Sequence, residues 1–153
     1  MKAVIQRVKY AKVDVDGKTV GSIGEGYMIL VGVMQGDTET QAETLARKTA
    51  NLRVFTDSED KMNLSILDID GEVLAISQFT LCADVKKGNR PSFINSAEPA
   101  EADRLYEHFC EQLKQNGVRK VEKGVFGAHM EVSLLNNGPV TILYDTDIWS
   151  GRG

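Results

Sequence analysis

The sequence predicts an α+β domain in which two long helices pack against one sheet. Most of its apolar runs are short and are joined by tight turns, as in antiparallel sheets. Only two stretches repeat apolar residues at helical spacing. The chain has 153 residues, enough for one domain, residues 1–153, that buries about two thirds of its unfolded surface.

The N-terminal third is predicted to consist of strands. Asp16-Gly17, between two apolar runs, is a strong signal for a two-residue hairpin loop. The run that begins at Gly26 is apolar at nearly every position, which is typical of a buried strand. The predicted strands of this region are 3–8, 11–15, 18–23 and 26–33.

Each helix has a recognisable start. Thr38, with Gln41 three residues later, resembles a capping box. Pro99 suits the first turn of the second helix, and Gly117 suits its C-terminal end. The buried stripes that identify the helices are Ala42, Leu45, Ala46, Thr49 and Leu52 in the first, and Leu105, Phe109 and Leu113 in the second.

The other segments are short strands and loops. Residues 53–56 and about 72–82 are predicted as strands, and the polar residues 57–63 as a loop. Residues 84–97 read as a long loop, and such loops in compact domains are usually functional or disordered. After the second helix, the predicted elements are strands 118–122, 128–135 and 140–144, with a turn at 136–139.

The composition is that of an ordinary globular protein, with 42% hydrophobic and 26% charged residues. No apolar stretch approaches the roughly 20 residues needed to cross a bilayer, and residues 1–7 turn polar too early for a signal peptide. Cys82 and Cys110 suggest neither a disulfide framework nor a metal motif. A cytoplasmic protein with no membrane partner and no metal is therefore expected.

The net charge of −4 argues against non-specific coating of nucleic acid, because phosphate affinity depends on Lys and Arg. A local basic patch is compatible with that charge. Lys86, Lys87 and Arg90 directly follow the predicted strand 72–82. Such a group is either a solvated surface or a set of phosphate contacts.

The predicted strand 72–82 is the most informative part of the chain. It carries three polar side chains, Ser77, Gln78 and Thr80, where burial should be nearly complete. Strand alternation would put Ser77 on one face and the other two on the opposite face. A polar group removed from water without a partner costs roughly 1–3 kcal/mol. These side chains therefore need either bonds to neighbouring loops or a function.

Common catalytic motifs are missing from the sequence: it has no Walker-type phosphate loop, no HExxH and no CxxC. His108 falls between core positions of the second helix. His129 begins a predicted strand and lacks the local signature of a Ser-His-Asp enzyme. An enzyme built on this sequence must work with backbone dipoles, hydroxyls and help from its substrate.

Residues 136–141 (NNGPVT) form the second unusual segment. Pro139 opens a predicted strand and removes one ladder donor, so it must lie at an edge or in a turn. Gly138 relaxes the steric restriction on the residue before a proline. Taken by itself, the segment is typical of a hairpin turn with a trans peptide bond.

Residues 77–83 (SQFTLCA) match the SQFTLxA signature of the D-aminoacyl-tRNA deacylases, and residues 136–141 match their NxGPVT signature. Residues 3–8 (AVIQRV), the chain length and the spacing of the two motifs also resemble that family. The resemblance sharpens the expected fold. It implies mixed and antiparallel sheets in a barrel-like β/β layer, with the two main helices packed outside as a third layer.

The resemblance also implies a homodimer whose active sites lie at the subunit interface. In the family the Gly-Pro pair, here Gly138-Pro139, is cis and reaches into the pocket of the other subunit. Its carbonyls hold the substrate's α-amino group and leave no room for an L side chain, whereas glycine passes. Arg7 would hold this pair in place. Ser77 and its neighbours would receive the terminal adenosine of the tRNA.

The implied activity is hydrolysis of D-aminoacyl-tRNA, and of glycyl-tRNA mischarged on tRNA-Ala, without metal or cofactor, as translation quality control. Thr80 is either a nucleophile or, with Gln78 and Phe79, part of an oxyanion and positioning frame helped by the substrate's 2′-hydroxyl. The frame is favoured because a hydroxyl nucleophile needs an adjacent base. Two alternatives are a non-catalytic nucleoside- or RNA-binding module on the same scaffold, and an esterase for small molecules.

Overall fold

A computed structural model describes residues 1–150, so the last three residues of the predicted domain 1–153 lie outside the described residues. The strands are β1 (Lys2–Val15), β2 (Lys18–Ile23), β3 (Gly26–Gly32), β4 (Phe55–Thr56), β5 (Met62–Leu64), β6 (Glu72–Ser77), β7 (Lys120–Lys123) and β8 (Glu131–Asp145). The helices are α1 (Glu39–Ala50) and α2 (Pro99–Gln115), with short 3-10 turns at Phe79–Cys82 and Thr146–Trp149.

Six strands form one mixed sheet in the order β2-β1-β3-β6-β7, with β8 also paired to β1. The β3–β6 and β6–β7 pairs are parallel, and the others are antiparallel. The two ends of this order approach each other: a Cβ atom on Gly21 of β2 would lie 2.8 Å from the carbonyl oxygen of Lys123 in β7. Glycine at this position therefore lets the sheet curl into a nearly closed barrel.

Two apolar cores lie on the two sides of this sheet. In β6, Leu74 and Ile76 face the barrel interior, whereas Val73 and Ala75 face the helices. This alternation is what a strand buried on both faces requires. The predicted α+β fold, with a barrel-like sheet and two helices outside it, is confirmed. The interior core consists of Val8, Ala11, Val13, Ile23, Met28, Leu74 and Ile76.

The helices begin where their capping residues predict. The backbone N–H of Thr38 donates to Gln41 Oε1 at 2.7 Å, which completes the capping box, and Pro99 is the first residue of α2. The Tyr106 hydroxyl of α2 donates to the carbonyl oxygen of Ala75 at 2.6 Å. This buried bond fixes α2 on β6, close to the end of that strand.

No helix in residues 1–150 combines the length and the apolar character that crossing a membrane requires.

Several predicted boundaries are wrong. The predicted strands 3–8 and 11–15 are one strand, β1, because its first half pairs with β3, its second half with β2, and both halves with β8. The predicted loop 57–63 overlaps β5, which forms a small hairpin with β4. The predicted strand 72–82 ends at Ser77, because its ladder with β3 ends at the Val31–Ser77 pair.

The predicted turn at 136–139 does not reverse the chain. Residues on both sides of it pair with β1 in the same antiparallel direction: Gln6 lies opposite Thr141, and Val8 lies opposite Asn136. Residues 137–140 therefore bulge from β8 opposite the single residue Arg7. The prediction failed because the same residue types serve turns and bulges, and the distant strand β1 decides between them.

Candidate active site

A cavity of about 630 Å³ opens where β6 ends. This volume is within the range of small-molecule sites, roughly 300–1,000 Å³. Its walls come from the end of β6, the 3-10 turn after it, the loop before α2, the first turn of α2, and the segment before β8. The lining residues include Ser77, Gln78, Phe79, Phe93, Glu98, Phe126, His129 and Met130.

The chain leaves β6 and turns along the cavity at Gln78. Its backbone N–H still donates to the carbonyl oxygen of Val31 at 2.7 Å, and its own carbonyl accepts from the N–H of Leu81 at 3.2 Å. A Cβ atom on Gly32 would lie 2.9 Å from Leu81 Cβ. The end of β3 therefore has to be glycine for the 3-10 turn to pack against it.

The turn changes the orientation expected for the polar side chains. Strand alternation stops at Ser77, so the predicted opposite facing of Ser77 and Gln78 is wrong, and both residues line the cavity. Phe79 also lines it and packs edge to face on Phe93, with 4.9 Å between ring centroids. Phe79 remains 55% exposed, so an apolar surface is available to a ligand at the cavity mouth.

Thr80 is exposed and does not belong to the cavity lining. Its hydroxyl oxygen accepts a hydrogen bond from the side-chain amide of Gln78. An amide is not a base in either orientation, so this contact orients Thr80 without activating it. The N–H groups of Phe79 and Thr80 lie in the first turn of a helix, where intrahelical acceptors are missing.

Gly138 and Pro139 form a second cluster with Arg7, away from the cavity lining of the same chain. The Gly138-Pro139 peptide bond is cis, and Gly138 has a φ of +133°, a value that favours glycine. Arg7 Nε donates to the carbonyl oxygen of Asn137 at 2.8 Å. A Cβ atom on Gly138 would lie 2.9 Å from Arg7 Nη2. The guanidinium group therefore packs directly against the bulge.

The predicted phosphate contacts lie on an exposed loop. Lys86, Lys87 and Arg90 are all exposed, and none of them lines the cavity. Two backbone hydrogen bonds between Asp84 and Ser92, of 2.7 and 2.9 Å, close the loop that carries them. Phe93, at the cavity wall, follows directly. The base of the loop that carries the three basic side chains therefore lies next to the cavity wall.

Sequence reasoning missed the aromatic and sulfur-containing part of the cavity wall. Phe93 lies in a segment interpreted only as a loop, and Phe126 precedes the predicted strand 128–135, which begins at Glu131 in the structure. His129 was considered only as a partner for a nucleophile, yet it lines the cavity. The sequence signal that could have marked this part of the wall was Phe126-Gly127, an aromatic residue followed by glycine between the predicted strands 118–122 and 128–135.

Metal-ligating side chains are dispersed over the described residues, and the two cysteine thiols are buried. Among residues 1–150, no three His, Cys, Asp or Glu side chains come together as metal ligands. Both cysteines are buried. Burial raises the pKa of the Cys82 thiol and raises that of Cys110 to about 12, so both are protonated, poorly nucleophilic thiols near neutral pH.

A family model described as D-Tyr-tRNA(Tyr) deacylase matches residues 4–145. The chain belongs to this deacylase family. A relative from Caldicellulosiruptor bescii named D-aminoacyl-tRNA deacylase is 59% identical over 146 residues, which cover 95% of this chain and 97% of the relative. A deacylase of the same name from Aquifex aeolicus is 55% identical, with 95% and 98% covered. The resemblance predicted from the two motifs is confirmed.

Solved structures share the fold of this deacylase family member. One described as c-Myc DNA Unwinding Element Binding Protein has a TM-score of 0.89 and 42% identity, and covers 95% of this chain and 98% of that one. One described as a probable eukaryotic D-amino acid tRNA deacylase has a TM-score of 0.80 and covers 94% and 97%. At 18% identity, the second comparison shows the fold alone.

Proposed function

We propose that this enzyme hydrolyses the ester bond of D-aminoacyl-tRNA to free D-amino acid and tRNA. The observation that carries the proposal is the turn at the cavity wall. There Ser77, Gln78 and Phe79 of the family's SQFT segment line a cavity of suitable size, with Thr80 beside them. Family membership supports the same substrate class.

An ester to a ribose hydroxyl is already activated, so the enzyme must mainly stabilise the oxyanion and position a water molecule. Preorganised N–H donors do this, and removing one donor from such a site costs about 2.7–4 kcal/mol in the barrier. The N–H groups of Phe79 and Thr80 are the proposed donors, because they begin the 3-10 turn and have no acceptor within it. Gln78 orients Thr80, and the substrate's neighbouring 2′-hydroxyl assists.

The chirality filter is proposed to come from a second copy of the chain. Gly138-Pro139 does not line the cavity of its own chain, and it sits on a bulge stiffened by Arg7. Leu135 and Leu143 on the same strand are 45% and 73% exposed, which favours a partner on this face. In the proposed homodimer the Gly-Pro carbonyls exclude L side chains, and glycyl-tRNA passes.

The remaining assignments follow from the substrate. Lys86, Lys87 and Arg90 contact phosphates near the acceptor end, and the cavity formed by the SQFT segment, with Phe126 in its apolar wall, receives the terminal adenosine. The reaction takes place in the cytoplasm, where it releases tRNA from D-amino acids before they reach translation. No metal or cofactor is needed, because the ester and its donors supply the chemistry.

A second candidate is a non-catalytic nucleoside- or RNA-binding module on the same scaffold. It is favoured by the DNA-binding name of one solved structure with this fold. Such a module would need the cavity but not the Gly138-Pro139 pair. An esterase for small molecules would need neither this pair nor the basic loop.

The test is the hydrolysis of matched D- and L-aminoacyl-tRNA by the purified chain. We expect fast release of the D-amino acid, little release of the L form, and slow turnover of a free D-amino acid ester. Equal rates on both enantiomers would contradict the filter, and no turnover with retained tRNA binding would favour the binding module. A trapped acyl-enzyme that is lost in Thr80→Val would identify Thr80 as the nucleophile and contradict the frame.

A further inference from the structure

The β4–β5 hairpin lies next to the Arg7 cluster and has no role in the reaction as proposed so far. We infer that this hairpin is a positioning element for the Gly138-Pro139 bulge and acts on it through Arg7. The inference rests on the proposed function, because it assigns a role in stereochemical discrimination to residues outside the cavity. The two residues on which the inference depends are Arg53, two residues before β4, and Asn63 in β5.

The guanidinium group of Arg7 connects two distant parts of the chain. Nε donates to the carbonyl oxygen of Asn137 at 2.8 Å, and Nη1 donates to that of Val54 at 2.6 Å. None of the ion pairs within residues 1–150 includes Arg7. Two carbonyl groups, rather than a carboxylate, therefore set its direction.

The Val54 carbonyl is one of the two anchors and lies directly before β4. Val54 and Phe55 are 6% and 4% exposed, and Phe55 packs on Tyr27 with 5.1 Å between ring centroids. Burial fixes this segment on the side of the helices. A displacement of the Val54 carbonyl would rotate the guanidinium and release its other end, which holds the bulge.

Beside Val54, two hydrogen bonds between Arg53 and Asn63 form a clamp on the outer side of the hairpin. Arg53 Nε donates to the carbonyl oxygen of Asn63 at 2.9 Å, and Arg53 Nη2 donates to the side-chain oxygen of the same residue. The turn between the strands is closed by Asp57, whose carboxylate accepts from the N–H groups of Glu59 and Lys61 at 2.9 and 3.0 Å. This clamp restrains the direction of the residue that follows Arg53.

The proposed path therefore runs from the Asn63 side chain through Arg53, the Val54 carbonyl and Arg7 to the Asn137 carbonyl. Each link is a hydrogen bond or a peptide neighbour. Loosening the first link widens the range of positions available to the Gly-Pro carbonyls. A looser filter loses discrimination before it loses activity, because the donors at the 3-10 turn Phe79–Cys82 are untouched.

The experiment compares Asn63→Ala, Arg53→Ala and Arg53→Lys with a matched control, Asp70→Asn. The control weakens another exposed contact to an arginine, Arg119–Asp70, away from the bulge. The readout is the ratio of kcat/KM for D- and L-aminoacyl-tRNA. We expect this ratio to fall about tenfold in the two alanine variants, the factor that corresponds to one hydrogen bond, with partial recovery in Arg53→Lys.

A double-mutant cycle shows whether the hairpin acts through Arg7. Arg7→Lys keeps the charge but cannot form the same paired contacts, so we expect Asn63→Ala to add little to its loss of discrimination. Additive losses, or an unchanged ratio in both alanine variants, would overturn the inference. A fall in the ratio for Asp70→Asn equal to that for Asn63→Ala would overturn it as well.

Hydrogen exchange separates this inference from the proposed function. Amides of residues 136–141 should exchange faster in Asn63→Ala than in the wild type, and at the wild-type rate in Asp70→Asn. If the wild type hydrolyses neither enantiomer, the proposed function fails, whereas the exchange result still tests the path. Unchanged exchange in Asn63→Ala would refute the path even if the wild type is active.

Discussion

Replacing Gly32 with alanine should displace the 3-10 turn Phe79–Cys82, which carries the proposed oxyanion donors. The added Cβ would lie 2.9 Å from Leu81 Cβ, 3.2 Å from the carbonyl oxygen of Gln78 and 3.3 Å from Cys82 Sγ. Carbon atoms prefer separations of about 3.5–4.0 Å, so the turn must move by roughly 0.6–1.1 Å. Overpacking of this kind costs about 1–3 kcal/mol in folding free energy, and a misplacement of about 1 Å can cost around a hundredfold in rate.

The assay measures kcat/KM on D-aminoacyl-tRNA together with the urea midpoint of unfolding. Gly24→Ala is the matched control, because its nearest new contact is Glu72 Oε1 at an ordinary 3.5 Å. We expect Gly32→Ala to remain folded at lower stability with kcat/KM strongly reduced, and the control to keep wild-type activity. Wild-type kcat/KM in Gly32→Ala would refute the role of the β3 end in positioning the donors.

Three further predictions concern stability and tRNA binding. Thr49 is fully buried on α1, and its hydroxyl has no hydrogen-bond partner within residues 1–150. Thr49→Val should therefore raise the free energy of unfolding by about 1 kcal/mol in urea titrations, and a loss of stability would contradict this. Burial raises the pKa of Cys110 from 9.0 to about 12. Between these pH values the thiol ionises in the unfolded chain but stays protonated in the folded chain, so this thiol lowers the free energy of unfolding by about 1.4 kcal/mol per pH unit. Cys110→Ala should have a shallower decline between pH 9 and 10.5, and an identical slope would exclude this thiol as its source. Replacing Lys86, Lys87 and Arg90 with alanine should make the slope of log K against log salt shallower by about 2–3, whereas an unchanged slope would remove them from the tRNA interface.

The parts of the fold that depend on nearby residues were predictable from the sequence. The Thr38 capping box and Pro99 predicted both helix starts, since caps are local chemistry. The apolar run at the start of β6 predicted a strand buried on both faces. The two family motifs predicted the family, and the structure brings three of the candidate residues, Ser77, Gln78 and Phe79, to one cavity.

The parts that depend on distant partners were not predictable in the same way. The strand stops at Ser77 because the chain turns at Gln78 into a 3-10 turn that packs on Gly32 of β3, and nothing in residues 78–82 themselves signals that. Residues 137–140 bulge because β1 pairs on both sides of them. The cavity wall at Phe93 and Phe126 comes from loops separated by α2, so only tertiary packing brings these two side chains to one cavity.

The pairing of β8 has a practical consequence for work with this chain. Within residues 1–150, this 15-residue strand pairs with β1 alone. A long strand with an unpaired edge is a template for adding strands from other molecules, and so for aggregation. Pro139 lacks an N–H group and interrupts the row of donors near the middle of β8. A substitution at this position would remove that interruption, so its effect on solubility has to be measured before any loss of activity is interpreted.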